Sequence, residues 1–156
     1  GPGVPANGAM TTLRTFVEHT GPARLGRRTK NLARRLGPED IAIIDHTDLD
    51  RVSAEELIES GVRVVVNVAP SQTGRVPYPG PLLLVRGGVR LIEAEGAPLF
   101  DDVDDGELLT VRGSSLYRNG TCVVSGRSLE AEELAEALAE LSEIKKGSVL
   151  PSHTGS

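Results

Sequence analysis

The chain has 156 residues, 38% of them apolar and only 3% aromatic with no tryptophan, so it can bury one core built of Leu, Val, Ile and Ala. No apolar run approaches the roughly 18 residues of a spanning helix, and the single cysteine excludes an internal disulfide and suits a reducing compartment. The net charge of −5 hides a split, with seven Lys/Arg and one Glu in residues 1–38 against ten Lys/Arg and 21 Asp/Glu in residues 39–156.

The two ends stand apart from the fold. Gly1-Pro2 reads as a protease remnant and residues 3–9 as linker, so 1–10 is expected to be an expression-tag remnant. Residues 147–156 are rich in Ser, Gly and Pro and read as a tail or linker. Thr11 to Glu18 is weakly helical. Arg24 to Arg35 holds six basic residues and no acid, with Leu25, Leu32 and Leu36 at helical spacing, and predicts a basic helix or arm over 11–36. Such an arm could dock through its leucines on the acidic body, or meet an anionic membrane surface or nucleic acid. No aromatic side chains interleave the arginines, which argues against nucleic acid.

An α/β domain is expected over 37–126. Ile41-Ala42-Ile43-Ile44 reads as a strand buried on both faces. Asp50 or Ser53 is expected to cap a helix from Ser53 to Ser60, Ser53 with Glu56 fitting a capping box, and Gly61 stops it. Val62 to Val66 is the second strand, Leu82 to Arg86 a short helix, and Val89 to Ile92 the third strand. This order predicts parallel pairing with right-handed crossovers. Short strands follow from Glu107, with a hairpin turn at Asn119-Gly120. Cys122 lies in a strand-like run and is expected to be buried. Ser128 is expected to cap a helix over 127–146, striped by Leu134, Leu138, Leu141 and Ile144. That stripe could pack on its own domain or pair with a partner.

Two stretches could carry a site. The first is the loop from Asn67 to Pro81, at the carboxyl end of the Val-rich strand, where α/β folds place their sites. Its candidates are Asn67, Ser71, Thr73, Gly74, Arg75 and Gly80. Backbone N–H groups from Ser71 to Arg75, with one guanidinium, could cradle a phosphate or other small anion. The loop has no carboxylate, histidine or cysteine, so it can bind but lacks catalytic groups. The second is the acidic cluster Asp45, Asp48 and Asp50 with His46. It fails the calcium-loop pattern, which needs glycine where Asp50 stands. Zinc, Walker and dinucleotide patterns also fail, so neither metal nor cofactor is expected, and no nucleophile arrangement appears.

Several blocks resemble a known family in order. They are Asp45 to Ala54, Val65-Val66-Asn67, Ser71 to Arg75, Gly80-Pro81 and Gly88 to Ile92. Together they are similar to the amino-terminal region of the SteA family, actinobacterial cytokinetic-ring proteins that are also thiamin pyrophosphokinase-like. The chain departs at Val76-Pro77-Tyr78-Pro79, where the family has an aromatic residue first and a Pro-Asn pair. The resemblance implies a longer protein with a kinase-like domain and a membrane anchor. It also implies a partner of the SteB type, itself a membrane protein, and a role in controlling septal peptidoglycan cleavage. The place implied is the cytoplasmic side of the membrane at the division septum. Homo-oligomers remain open.

The element order also resembles the swivelling phosphohistidine domain of phosphoenolpyruvate-utilising enzymes. In those domains the loop after the Val-rich strand carries the histidine; here it carries Arg75. The fold expectation is therefore α/β: a three-layer or swivelling β/β/α-like domain. It would have a parallel β-α-β-α-β core, an antiparallel hairpin after it, and a C-terminal helix.

Overall fold

The computed structural model describes residues 18–75 and 78–149. The expected tag at 1–10, the weak helix from Thr11, most of the tail and Val76-Pro77 lie outside them. The elements are β1 (His19–Leu25), α1 (Thr29–Ala33), β2 (Ile41–Ile44), α2 (Arg51–Ser60), β3 (Val64–Asn67), α3 (Gly80–Arg86) and β4 (Arg90–Glu93). There follow α4 (Leu99–Asp102), β5 (Leu108–Arg112), β6 (Ser115–Arg118), β7 (Thr121–Ser125), β8 (Arg127–Ser128) and α5 (Ala131–Val149).

The eight strands form one sheet in the order β7-β6-β5-β1-β2-β3-β4-β8. Strands β1 to β4 run parallel, joined through helices; the parallel order of β2, β3 and β4 is the one the apolar runs and intervening helix signals predict. Strands β5, β6 and β7 are antiparallel to their neighbours. The first and last strands in this order are joined by Gly126 alone. The sheet must therefore curl until its two edges nearly meet.

Alternation along the parallel strands feeds two cores. Ile41, Ile43, Val64, Val66 and Ile92 point inward and meet Leu109, Val111 and Leu116 of the antiparallel strands. Ala42, Ile44, Val65 and Leu91 point outward and meet Leu57, Leu82, Leu84 and Leu134 of the helices. The result is a β/β/α layering, with helices on one side of the parallel strands. Each residue of β2 and β3 is fully buried, which is why these strands are continuous apolar runs in sequence.

The segment read as a basic helix enters the sheet instead. Its first part is β1, a central strand between β2 and β5. Gly21-Pro22 opposes a helix, though neither residue favours a central strand. A Cβ at Gly21 would sit 1.7 Å from the Glu39 carbonyl oxygen, so the residue must be glycine. Only Thr29–Ala33 is helical. The three leucines divide: Leu25 packs on the inner core, Leu32 and Leu36 on the outer one. The arginines dock on the acidic body, Arg24 on Asp40 at 3.2 Å, Arg35 on Asp105 at 3.0 Å, and Arg27 on Asp45.

Three local expectations change. The helix at 51–60 starts at Arg51, two residues before the expected start, and of the two cap candidates Asp50 is the N-cap. Ser128 lies in β8 opposite Ile92, and α5 starts three residues later. Cys122 is exposed, on β7 at the end of the strand order. The Asn119-Gly120 turn is as expected, with φ of 49° and 82°.

Helix α5 packs at home through Leu134, which is 4% exposed, with Leu138 beside it, while Leu141 is half-buried. Leu134→Ala should cost about 2–4 kcal/mol in urea unfolding, and Leu141→Ala under about 1. Arg118 holds the Glu107 carboxyl at about 2, against an ordinary 4.5. Asp105 is lowered too, chiefly by its hydrogen bond from Arg35. Depressed carboxyls contribute stability above their unfolded values and lose it as pH falls through the folded ones. The thermal midpoint should therefore drop as pH falls from 4.5 towards 2, and less steeply in Glu107→Gln.

Candidate functional site

Parallel strands bring their carboxyl ends together, so the loops after β2, β3 and β4 meet at one end of the sheet. Asn67, the last residue of β3, is fully buried there. Its carboxamide oxygen accepts from the backbone N–H of His46 (3.1 Å) and of Ala69 (3.0 Å). Its amide nitrogen donates to the His46 carbonyl (2.9 Å) and to Ser71 Oγ (2.8 Å). One side chain thus ties the β2 end to the β3 loop.

The loop is then laid against residues 48–50. Asp48 N–H donates to the Pro70 carbonyl (2.9 Å), and Leu49 N–H to that of Ser71 (3.0 Å). Ser71 N–H donates to Glu93 Oε1 (3.0 Å), which reaches across from β4. Asp48, with φ of 53°, turns its carboxylate onto Thr73, accepting from the backbone N–H (2.8 Å) and the hydroxyl (2.9 Å). Arg75 N–H donates to Thr73 Oγ1 at 3.2 Å. On the far side, a Cβ at Gly80 would lie 2.1 Å from the Leu49 carbonyl oxygen, so only glycine fits. Both bases of the loop are fixed to the same strand of chain.

Between these bases the loop projects. Gly74 has φ of 89° and open space around it, and Arg75 is exposed, with no ion pair among the described residues. Two exposed apolar side chains lie near the same end: Val52 (60% exposed) in the first turn of α2, and Tyr78 (37%) just before α3. They share this end of the sheet because Gly80 abuts Leu49 and Asp50. Sequence reasoning missed both. The signal was present: a valine in a helix turn of charged neighbours, and one of only two tyrosines.

The aspartates of the acidic cluster part company. Asp45 pairs with Arg27, whose guanidinium also lies over the Phe100 ring at 4.3 Å. Asp48 holds Thr73, and Asp50 lies 3.2 Å from His46 Nε2. Among the described residues, no three His, Cys, Asp or Glu side chains are grouped to hold a metal. Burial pushes the Asp50 carboxyl up, but the Ser53 hydroxyl, backbone bonds and nearby His46 outweigh it and lower it.

His46 Nε2 also lies 3.1 Å from Ser53 Oγ, and Nδ1 lies 3.2 Å from the Thr47 carbonyl. This serine–histidine pair was not foreseen. Its carboxylate sits on the same ring nitrogen as the serine, rather than on the opposite one where a triad places its orienting acid. The arrangement braces the start of α2.

The loop's amides are largely taken. Those of Ser71, Thr73 and Arg75 all have acceptors within the protein. What the geometry leaves for a partner is the Arg75 guanidinium and the two exposed apolar side chains. Searches against family models, curated proteins and solved structures found no match to the chain. No helix among the described residues is long and apolar enough to cross a membrane.

Asn67→Ala would strand four polar partners in a buried site. It should cost about 3 kcal/mol or more in urea unfolding. Arg75→Ala, at an exposed side chain with no ion pair among the described residues, should stay within about 0.5 kcal/mol.

Proposed function

We propose that this is a non-catalytic interaction domain of a SteA-type division protein, acting with a SteB-like membrane protein to control septal peptidoglycan cleavage. The place of action is the cytoplasmic face of the membrane at the division septum. The observation that carries the reading is the surface at the sheet's carboxyl end: an exposed arginine with no ion pair among the described residues, with an exposed tyrosine and an exposed valine near the same end. Tyrosine and arginine are the residues that most often anchor protein contacts. The ordered sequence blocks point to the family and hence to the partner.

A sensor of small anions, nucleotide or phosphate, is the second reading. Its support is Arg75 and the open Gly74. It is the weaker one, because three loop amides already have acceptors and Asp48 places negative charge beside Thr73.

The test is capture of the purified cytoplasmic part of SteB by this chain, with Arg75→Ala, Val52→Asp and Tyr78→Ala in parallel. Each variant should weaken capture about tenfold or more while leaving the thermal midpoint in place. Capture equal to wild type in all three would remove the loop from the interface. Turnover of a nucleotide or phosphoester by the domain, lost in Arg75→Ala, would overturn the non-catalytic reading.

A further inference from the structure

The curled sheet does not close. Strand β7 pairs with β6 on one side and with no described strand on the other. Its chain then passes through Gly126 into β8, which pairs with β4. The two edges are pinched at Gly126, where a Cβ would lie 2.6 Å from the Glu93 carbonyl oxygen. Beside the pinch is a shallow cleft of about 480 Å³, between residues 93–97 and residues 124–127.

Backbone groups face this seam. In the two-residue hairpin at Asn119-Gly120, Arg118 and Thr121 form the hydrogen-bonded pair next to the turn. The following pair, Tyr117 with Cys122, is then a non-bonded one, and the N–H and C=O of Cys122 point away from β6. Edge strands are usually guarded by charge or proline. Thr121–Ser125 has neither. Its one irregularity is Val123, an extra residue between the paired Cys122 and Val124. A bulge guards an edge against long flat pairing of any kind, which leaves Thr121-Cys122, before the bulge, as the stretch a partner strand can meet.

The charge of the cleft selects the occupant. Glu93 and Glu95 lie in its wall; the Glu93 carboxylate already accepts from the Ser71 N–H, and Glu95 has no ion pair among the described residues. Arg127, the cation among the lining residues, is already gripped by Glu133 at 2.8 and 3.0 Å. We propose that the seam is a β-addition site for an extended basic segment of another protein, which pairs with the free edge of β7 and sets Lys or Arg against Glu95. This surface is separate from the Arg75 loop and stands or falls independently of it.

The experiment titrates a fluorescent peptide of alternating lysine and valine into the full chain, below the concentration at which the peptide self-associates. Anisotropy reports binding, and amide hydrogen exchange reports where. Saturable binding with slowed exchange at Cys122 is expected. Glu95→Lys, an exposed change away from both cores, should weaken this peptide about tenfold or more and strengthen a glutamate–valine counterpart. Cys122→Pro should abolish binding of either. The proposal is overturned by no binding, by binding that leaves Cys122 exchange unchanged, or by equal affinity in Glu95→Lys. A β7-mediated dimer in light scattering, without peptide binding, overturns it as well.

Discussion

The buried carboxamide of Asn67 is the contact on which this end of the molecule depends. It sits where β3 ends and the chain must leave a fully buried strand. At that point the backbone of both β2 and β3 runs out of sheet partners, and unpaired buried amides are costly. Asn67 supplies two acceptor bonds and two donor bonds in one residue. A carboxylate there could accept but not donate, and leucine could do neither. Everything beyond, from Ser71 under Glu93 to Thr73 on Asp48, rests on that first fixed point.

The same contact explains the division of labour among polar residues. Sequence places Asp45, Asp48, Asp50 and His46 side by side, and adjacency suggests a common task. The fold gives each a separate one, because successive residues leaving a strand point in different directions. Asp45 turns to Arg27, Asp48 to the loop, and Asp50 to His46 and α2. The cluster is a set of three ties holding three neighbouring elements to one turn of chain.

The parallel core was legible because doubly buried strands write themselves as unbroken Val/Ile runs, and because Gly61 closes its helix in the left-handed region, with φ of 83°. The hairpin was legible for the same local reason at Asn119-Gly120. What stayed hidden depends on pairing across long separations. His19–Leu25 contains Gly, Pro and charge-flanked residues and carries little strand signal of its own. It is a strand because β2 and β5 offer it two edges at once. The exposure of Cys122, at the end of the strand order, likewise stayed hidden. The loop at Asn67 was found by position, but Val52 and Tyr78 were not, since apolar residues are read as core until a structure leaves them outside.

Curling the sheet is also what separates the two faces available to partners. With helices on one side of the parallel strands and antiparallel strands on the other, both broad surfaces of β2 and β3 are consumed by core. Only ends and edges remain for recognition. The carboxyl end is finished with a clamped loop that exposes arginine, tyrosine and valine. The edge is finished with the seam at β7, lined on its far wall by carboxylates. One surface is cationic and apolar, and the other is acidic with open backbone groups. If both proposals hold, contacts of opposite character on one small domain would let it hold different partners through different chemistry.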